Sequence, residues 1–184
     1  PFFSYVHSLT ATPRTGMDRL LARLHKQASA AFPQAARATQ AEWWAHCRPH
    51  ATGHQLHYDS DDEGRGGVRN PLVSSALYLT DDIGGPTLVT NQKIGATKLA
   101  SHGWAATPAT NRILLFDGSY LHGVVPGRGA LHGPADSSQS ARPSRRISLM
   151  VAFWPAIRER PAKRQGAARP FPYASAVGGG GGSG

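Results

Sequence analysis

The sequence predicts an all-β core of the jelly-roll type, a double-stranded β-helix, with flanking helices (α+β). Short apolar or alternating runs recur after residue 54, and turns rich in Gly, Pro, Asn and Asp separate them. The 21 Gly and 14 Pro among 184 residues favour many turns and short strands. Many short strands with such turns are typical of a sandwich, and the jelly roll is the architecture that closes most of its edges.

One helix is predicted ahead of the strands, over residues 15–31. Its apolar stripe at helical spacing consists of Met17, Leu20, Leu21, Leu24 and Ala28. Thr15 with Asp18 three residues later forms a capping box, and Pro33 ends the helix. Residues 39–47 fit either a second helix or a strand.

The pattern changes to strands from residue 54 onward. The predicted strands are 54–59, 72–80, 86–91, 111–117, 121–126 and 145–154. Residues 127–144 carry no periodicity and many small polar residues, so we expect a long surface loop there. That loop either faces the substrate or is a tolerated insertion.

We expect one catalytic domain over residues 1–170 and a flexible tail or linker over 171–184, which ends in GGGGGSG. Cys47 is the only cysteine, is predicted to be buried, and cannot form an internal disulfide. The single cysteine favours an intracellular compartment, whether cytoplasmic, nuclear or organellar. The sequence has no stretch of about 20 apolar residues, so no membrane association is predicted. The chain begins with Pro-Phe-Phe, so we expect any native targeting segment to lie outside it.

The net charge of +9 is unevenly distributed. Basic residues are concentrated in the C-terminal part, where they form either a solvated surface or a patch that attracts nucleic acid or acidic proteins. Acidic residues are concentrated between positions 59 and 82. Among them, Asp61, Asp62 and Glu63 form either a solvated turn or a feature that favours a basic substrate.

Three residues have the types and spacing of a metal site. His57 and Asp59 are two apart in a predicted strand and therefore share a face, and His122 lies in another strand. Two imidazoles and one carboxylate are the ligands of a non-haem Fe(II) site, which leaves three positions open for co-substrate and O2. A tetrahedral zinc site with fewer open positions is the alternative.

A basic residue follows in the last predicted strand. Arg146 and Ser148 share a face, so a guanidinium and a hydroxyl can bind the carboxylate of an acidic co-substrate together. Arg145 points the other way and is predicted to be a surface charge. The same alternation places Met150 and Ala152 on the site side, and the intervening apolar residues face the helix.

Several segments resemble the prolyl 4-hydroxylase-like family of Fe(II)/2-oxoglutarate-dependent dioxygenases. They are residues 75–87, with SALYLTDDIGGPT, and residues 107–117, with TPATNRILLFD. His122 and then the Arg-Ile-Ser-Leu run at 146–149 follow in the family's order. The resemblance covers residues 44–154.

The resemblance implies the cofactors and the role of each site residue. His57, Asp59 and His122 would bind Fe(II), and O2 and 2-oxoglutarate would be co-substrates, with ascorbate as an optional accessory. Arg146 would hold the distal carboxylate of 2-oxoglutarate, with Ser148 on the same face. Tyr78 would be a hydroxyl partner on a neighbouring strand.

The function predicted on this basis is hydroxylation of an unactivated C–H, on a prolyl or another peptidyl residue. A free amino acid or small metabolite is an alternative substrate. A nucleic-acid-modifying oxygenase is not favoured, because Ala152 stands where such enzymes carry a second Arg, six residues after the first. A non-enzymatic jelly-roll binding module is the third alternative, and the intact ligand set argues against it. Oligomeric state is left open.

Other side chains receive weaker predictions. His54 should face away from His57, in a structural or a substrate-side role. Arg48 could reach the co-substrate or the substrate. Trp43 and Trp44 are predicted to be core residues. The histidines without a partner at ligand spacing are His46, His50 and His102.

Overall fold

The computed structural model describes residues 3–49, 52–61, 68–127, 145–159 and 168–173. Within these ranges, two β-sheets face each other and one helix packs on the outer face of the larger sheet. None of the helices in the described ranges is both long and apolar enough to cross a membrane.

The described elements occur in the following order along the chain. The strands are β1 Tyr5–Ser8, β2 Gln40–Pro49, β3 His54–His57, β4 Val73–Tyr78, β5 Thr87–Thr90, β6 Gly103–Ala106, β7 Ile113–Asp117, β8 His122–Val124, β9 Arg145–Trp154 and β10 Arg169–Pro170. The helix is α1 Gly16–Ala31, followed by a 3-10 turn at Pro33–Arg37.

The strand order is that of a double-stranded β-helix. In the described part of the chain, the larger sheet has the order β10-β1-β2-β9-β4-β7 and the smaller sheet has the order β3-β8-β5-β6. Between β2 and β9 the chain passes repeatedly from one sheet to the other. All pairings are antiparallel except that of β1 with β10. The predicted fold class is confirmed.

Side chains from both sheets meet in the space between them. The Tyr78 hydroxyl on β4 donates to Thr87 Oγ1 on β5 at 2.7 Å. The ring of Phe116 on β7 lies 4.8 Å from that of His122 on β8, measured between centroids. The inward-facing residues of the two sheets therefore line a common interior.

The predicted helix is confirmed, together with its cap. Thr15 Oγ1 accepts from the Asp18 backbone N–H at 3.1 Å, and the Asp18 carboxylate accepts from the Thr15 N–H at 2.8 Å. Leu21 and Leu24 are 1% exposed and pack on the outward residues of β9, such as Val151. Burying each leucine contributes about 1.5–3 kcal/mol and fixes α1 to the larger sheet.

Each predicted strand is present, although most are shorter than expected. The segment 39–47, which the sequence left open, is a strand because it pairs with β9 along its whole length. The short strands β1, β6 and β10 were not predicted. β1 and β10 together span only six residues, and their pairing with each other depends on residues at opposite ends of the chain.

The prediction that Cys47 is buried is wrong. Its side chain is exposed at the end of β2. On the outward face of β2, the cluster packed beneath α1 includes Ala41 and Trp43 and extends no further along the strand. The outward residues beyond them, such as Ala45, are exposed for the same reason.

Some predictions fall on residues outside the described ranges. These are the loop at 127–144 beyond Gly127, the tail from residue 174 onward, and the side chains of His50, Asp62 and Glu63. They stay predictions.

Candidate metal centre and co-substrate pocket

His57, Asp59 and His122 converge in the interior, where their ligand atoms all lie within 4.8 Å of one another. Asp59 Oδ1 is 3.8 Å from His57 Nε2 and 3.7 Å from His122 Nε2. Asp59 does not lie in the strand as predicted, because β3 ends at His57. Its carboxylate nevertheless reaches the same point, so one cation could contact all three side chains.

Backbone carbonyl groups fix the orientation of both imidazoles. His57 Nδ1 lies 2.9 Å from the Gln55 carbonyl oxygen, and His122 Nδ1 lies 3.0 Å from the Tyr120 carbonyl oxygen. Since a carbonyl oxygen only accepts, each Nδ1 carries a proton, and the neutral form of each ring then has its lone pair on Nε2. In both rings that lone pair faces Asp59, as a metal ligand requires.

Two residues that the sequence did not single out hold Asp59 in place. The Ser74 hydroxyl donates to Asp59 Oδ2 at 2.7 Å, and the Asn70 amide donates to the Asp59 backbone carbonyl at 2.7 Å. Asp59 is 8% exposed. With Oδ2 engaged by Ser74, Oδ1 is the oxygen that faces the two histidines.

The chemistry of this group fits a divalent metal ion. His122 is 2% exposed, and its Nε2 is buried without a hydrogen-bond partner among the described residues. An unsatisfied buried nitrogen is costly, and a metal ion would satisfy it. Burial lowers the pKa of His122, although Asp59 opposes the shift, and this favours the neutral imidazole that binds metals.

Arg146 is a buried cation on the adjoining part of the interior. Its Nη1 donates to the Gly85 carbonyl at 3.1 Å and its Nη2 donates to Thr87 Oγ1 at 2.8 Å. Its Nε has no partner among the described residues, and no carboxylate of those residues forms an ion pair with it. Burial lowers the pKa of Arg146, although Tyr78 opposes this. A carboxylate ligand would supply the missing counter-charge.

Thr87 connects Arg146 to Tyr78, a role that no sequence pattern indicated. Its Oγ1 accepts from both Tyr78 Oη and Arg146 Nη2. Tyr78 is fully buried, and burial raises the pKa of its hydroxyl. Its ring lies 5.3 Å from the Arg146 guanidinium. Tyr78 does not line the cavity between the sheets, whereas Thr87, Arg146 and Ser148 do.

That cavity has a volume of about 400 Å³ and contains both groups. It is bounded by the metal-ligand candidates, by the inward residues of β9, and by the inward residues of β2. The inward residues of β2 are Glu42, Trp44, His46 and Arg48. Both tryptophans pack on core clusters, as predicted: Trp43 lies under α1, and Trp44 packs against Ala76, Tyr78 and Met150 while also lining the cavity.

His54 lies on the cavity side, beside the candidate metal ligands. Its ring stacks on that of His57 with centroids 4.6 Å apart, and its other neighbour is His46, with ring centroids 5.4 Å apart. In a regular strand, residues three apart would face opposite ways. The pairing of β3 with β8 is irregular between positions 54 and 57, which brings both rings to one side.

Arg145 and Asp61 are two further charged residues near the site. Arg145 is exposed, as predicted, and donates to the Cys47 carbonyl oxygen at 3.3 Å. Asp61 forms an ion pair with Arg69 just beyond the metal-ligand candidates. Its charge is therefore partly compensated, which weakens the earlier suggestion that this turn selects a basic substrate.

Solved structures similar to this chain include oxygenases that use iron and 2-oxoglutarate. A prolyl-4-hydroxylase from Pseudomonas putida is 20% identical, with 78% of this chain and 69% of that chain covered and a TM-score of 0.49. An oxidoreductase of the 2OG-Fe(II) oxygenase family from Burkholderia pseudomallei is 14% identical, with 83% and 68% covered and a TM-score of 0.46.

A third similar structure is HygX from Streptomyces hygroscopicus, solved with nickel and 2-oxoglutarate bound. It is 14% identical, with 91% of this chain and 77% of that chain covered and a TM-score of 0.43. No protein-family model matches the chain, and the search of curated proteins finds no significant match. Identities of 20% or less and TM-scores below 0.5 leave the activity of this chain to be inferred from its own residues.

Proposed function

We propose that this chain is an Fe(II)- and 2-oxoglutarate-dependent dioxygenase that hydroxylates an unactivated C–H bond. One observation carries the proposal. A single cavity contains a His-Asp-His group with an unsatisfied buried nitrogen and a buried Arg146 that lacks a carboxylate partner among the described residues. The first needs a metal ion, and the second needs an acidic ligand beside that ion.

The donor set favours iron over a closed structural site. His57 Nε2, His122 Nε2 and Asp59 Oδ1 would hold the metal ion, and the described residues offer it no fourth ligand group. This arrangement is the one used by non-haem Fe(II) oxygenases, in which open positions receive co-substrate and O2. Bound iron would supply the oxidation of 2-oxoglutarate to succinate and CO2, coupled to insertion of one oxygen atom into the substrate.

The residues of the chain bind, orient and shield the reactants. Arg146 offers its guanidinium to the distal carboxylate of 2-oxoglutarate, with Thr87 and Ser148 beside it. The Tyr78 hydroxyl lies outside the cavity and donates to Thr87 Oγ1, which holds the threonine in place. The inward apolar side chain of Met150 limits water in the interior, which strengthens these polar contacts.

For the substrate, we propose a prolyl or another peptidyl residue, with a free amino acid as the second candidate. The cavity is small, at about 400 Å³, so one side chain or one small molecule fits beside 2-oxoglutarate. Ala152 is fully buried on β9 where a second Arg would be expected for nucleic-acid repair, which disfavours that alternative. We infer one catalytic domain over 1–170 and, from the single cysteine, a reducing intracellular compartment.

The test is to prepare the protein anaerobically, measure Fe(II) and 2-oxoglutarate binding by calorimetry, and then follow succinate formation after adding O2. His57→Ala should abolish tight Fe(II) binding. Arg146→Gln should leave Fe(II) binding intact and weaken 2-oxoglutarate binding about 10–100-fold, because a charged hydrogen bond is lost. Arg145→Gln is the matched control, since that residue is adjacent, equally charged and outside the cavity.

Two results would contradict the proposal. One is that the wild-type protein binds no Fe(II), or binds it with equal affinity when His57 is replaced. The other is that Arg145→Gln and Arg146→Gln weaken 2-oxoglutarate binding equally. A product 16 Da heavier than its substrate, found by mass spectrometry with peptides and amino acids, would identify the substrate.

A further inference from the structure

Strand β2 forms one wall of the cavity. The proposed binding of iron and 2-oxoglutarate does not use the side chains of that wall. Alternation along β2 places His46 and Arg48 on the inward face, where both line the cavity. Their cross-strand partners on β9 are Ser148 and Arg146. The wall formed by His46, Arg48 and the neighbouring His54 therefore lies directly beside the proposed 2-oxoglutarate anchor.

Arg48 is the cation of this wall, and its charge is not compensated within the described residues. It is half-buried and forms no ion pair with any carboxylate of those ranges. Burial of the His46 ring, and then the charge of Arg48, lower the pKa of His46 to about 4.

The described acids that line the cavity are already engaged. Asp59 faces the two candidate metal ligands and accepts from Ser74. Glu42 accepts from the Ser4 hydroxyl on Oε1 and from Trp154 Nε1 on Oε2, the latter at 3.1 Å. Neither carboxylate forms an ion pair with Arg48, so an acidic ligand in the cavity would meet a cation that no described carboxylate compensates.

The ring of His46 adds a hydrogen-bond donor to this wall. Trp44 Nε1 donates to His46 Nε2 at 3.1 Å, so Nε2 is the accepting nitrogen of a neutral ring. The proton of that ring then resides on Nδ1. Arg48 and His46 both line the cavity and both carry hydrogen-bond donors, a combination that suits an oxyanion and disfavours a cationic group.

We propose that this wall binds a carboxylate of the substrate, so that the enzyme acts on an acidic molecule. The inference rests on the proposed function, because it assigns Arg146 to 2-oxoglutarate and leaves Arg48 for the second reactant. Arg146 is 7% exposed and is held by Gly85 and Thr87. Arg48 is more exposed and lies near the end of β2, where a second molecule can enter.

The carboxylate can belong to a free amino acid or to an acidic side chain of a peptide. Two matched pairs of probes distinguish these sources. The first pair is L-proline and L-prolinamide. The second is the blocked dipeptides N-acetyl-prolyl-glutamate amide and N-acetyl-prolyl-glutamine amide, which differ only in the side-chain carboxylate.

The experiment measures binding of each probe at millimolar concentration by saturation-transfer NMR. The protein carries Zn(II), as a redox-inert substitute for Fe(II), together with 2-oxoglutarate. In at least one pair the acid should bind about tenfold more tightly than its amide. Arg48→Gln should remove this preference, while Arg145→Gln should keep it.

Two controls separate this inference from the proposed function and from misfolding. The affinity of Arg48→Gln for 2-oxoglutarate should equal that of the wild type, whereas failure of the wild type itself to bind 2-oxoglutarate would contradict the proposed function. Arg48→Lys keeps the charge and should keep a reduced preference for the acid. Absence of acid binding in both pairs, equal binding of acid and amide, or an unchanged preference in Arg48→Gln would each overturn the inference.

Discussion

The Ser74 hydroxyl donates to Asp59 Oδ2 at 2.7 Å, and this bond directs the other carboxylate oxygen towards the two candidate histidine ligands. Ser74 lies on β4 in the larger sheet, whereas His57 and His122 lie on β3 and β8 in the smaller sheet. The candidate metal centre thus spans both sheets. The geometry of this centre therefore depends on the distance between the two sheets.

Ser74→Ala should weaken Fe(II) binding about 10–100-fold, the usual effect of removing a residue that orients a metal ligand. Calorimetric titration with Fe(II) under anaerobic conditions measures this. Ser75→Ala is the matched control, because its hydroxyl is also buried but donates to the Val151 carbonyl at 2.9 Å, away from the site. Equal losses of affinity in the two variants would show that Ser74 acts only through general stability.

Thr87→Val should weaken 2-oxoglutarate binding about tenfold while leaving Fe(II) binding unchanged. The substitution keeps the shape of the side chain but removes the acceptor shared by Tyr78 and Arg146, so that both donors become free to shift. Thr90→Val on the same strand is the control, since Thr90 Oγ1 donates to the Leu121 carbonyl at 3.1 Å outside the cavity. An unchanged affinity in Thr87→Val would mean that Thr87 does not position the anchor.

Gly123→Ala should destabilise the protein by about 1–3 kcal/mol, as overpacking of a filled interior usually does. A Cβ at this position would lie 2.8 Å from the His54 carbonyl oxygen, so β3 and β8 would have to separate beside His122. Chemical denaturation measures the loss. Gly103→Ala is the control, because its Cβ would lie 3.5 Å from Leu88 Cδ1, an ordinary contact. Similar stabilities for both variants would contradict this account.

Asp18→Asn should destabilise the protein by about 1–3 kcal/mol at neutral pH, because buried donors lose a charged acceptor. Burial alone would raise the pKa of Asp18, but hydrogen bonds from Tyr173, Arg14, His7 and Thr15 outweigh it and lower the pKa below its ordinary value.

The lowered pKa of Asp18 fixes the sign of the pH dependence. The carboxylate stabilises the folded state fully above its ordinary pKa near 4, and this contribution is lost as the pH falls towards the folded value. The difference in free energy of unfolding between wild type and Asp18→Asn should therefore be largest at pH 7 and shrink below about pH 4. A difference that stays constant down to pH 3 would contradict this account.

Local patterns predicted much of the fold. The apolar stripe and capping box predicted α1, because helix formation depends on neighbours three and four residues apart. Alternation along β9 predicted that Arg146 and Ser148 face the interior, which the structure shows. Their roles, like those of the three metal-ligand candidates, stay predictions.

The prediction of side-chain facing from strand alternation was wrong where the backbone departs from a regular strand. Asp59 lies beyond the end of β3, and the irregular pairing before His57 turns His54 towards the cavity. An irregularity of this kind depends on the partner strand β8, which a period of two residues cannot reveal.

The sequence by itself determined the elements, the alternation within each strand, and the set of residues with metal-binding chemistry, since each of these depends on residue types and short spacings. Only the tertiary structure decided which distant residues support that set. Ser74 contacts Asp59 and Thr87 contacts Arg146 because strands far apart in the chain pack against one another. Those contacts depend on how two sheets pack, and no local pattern encodes that packing.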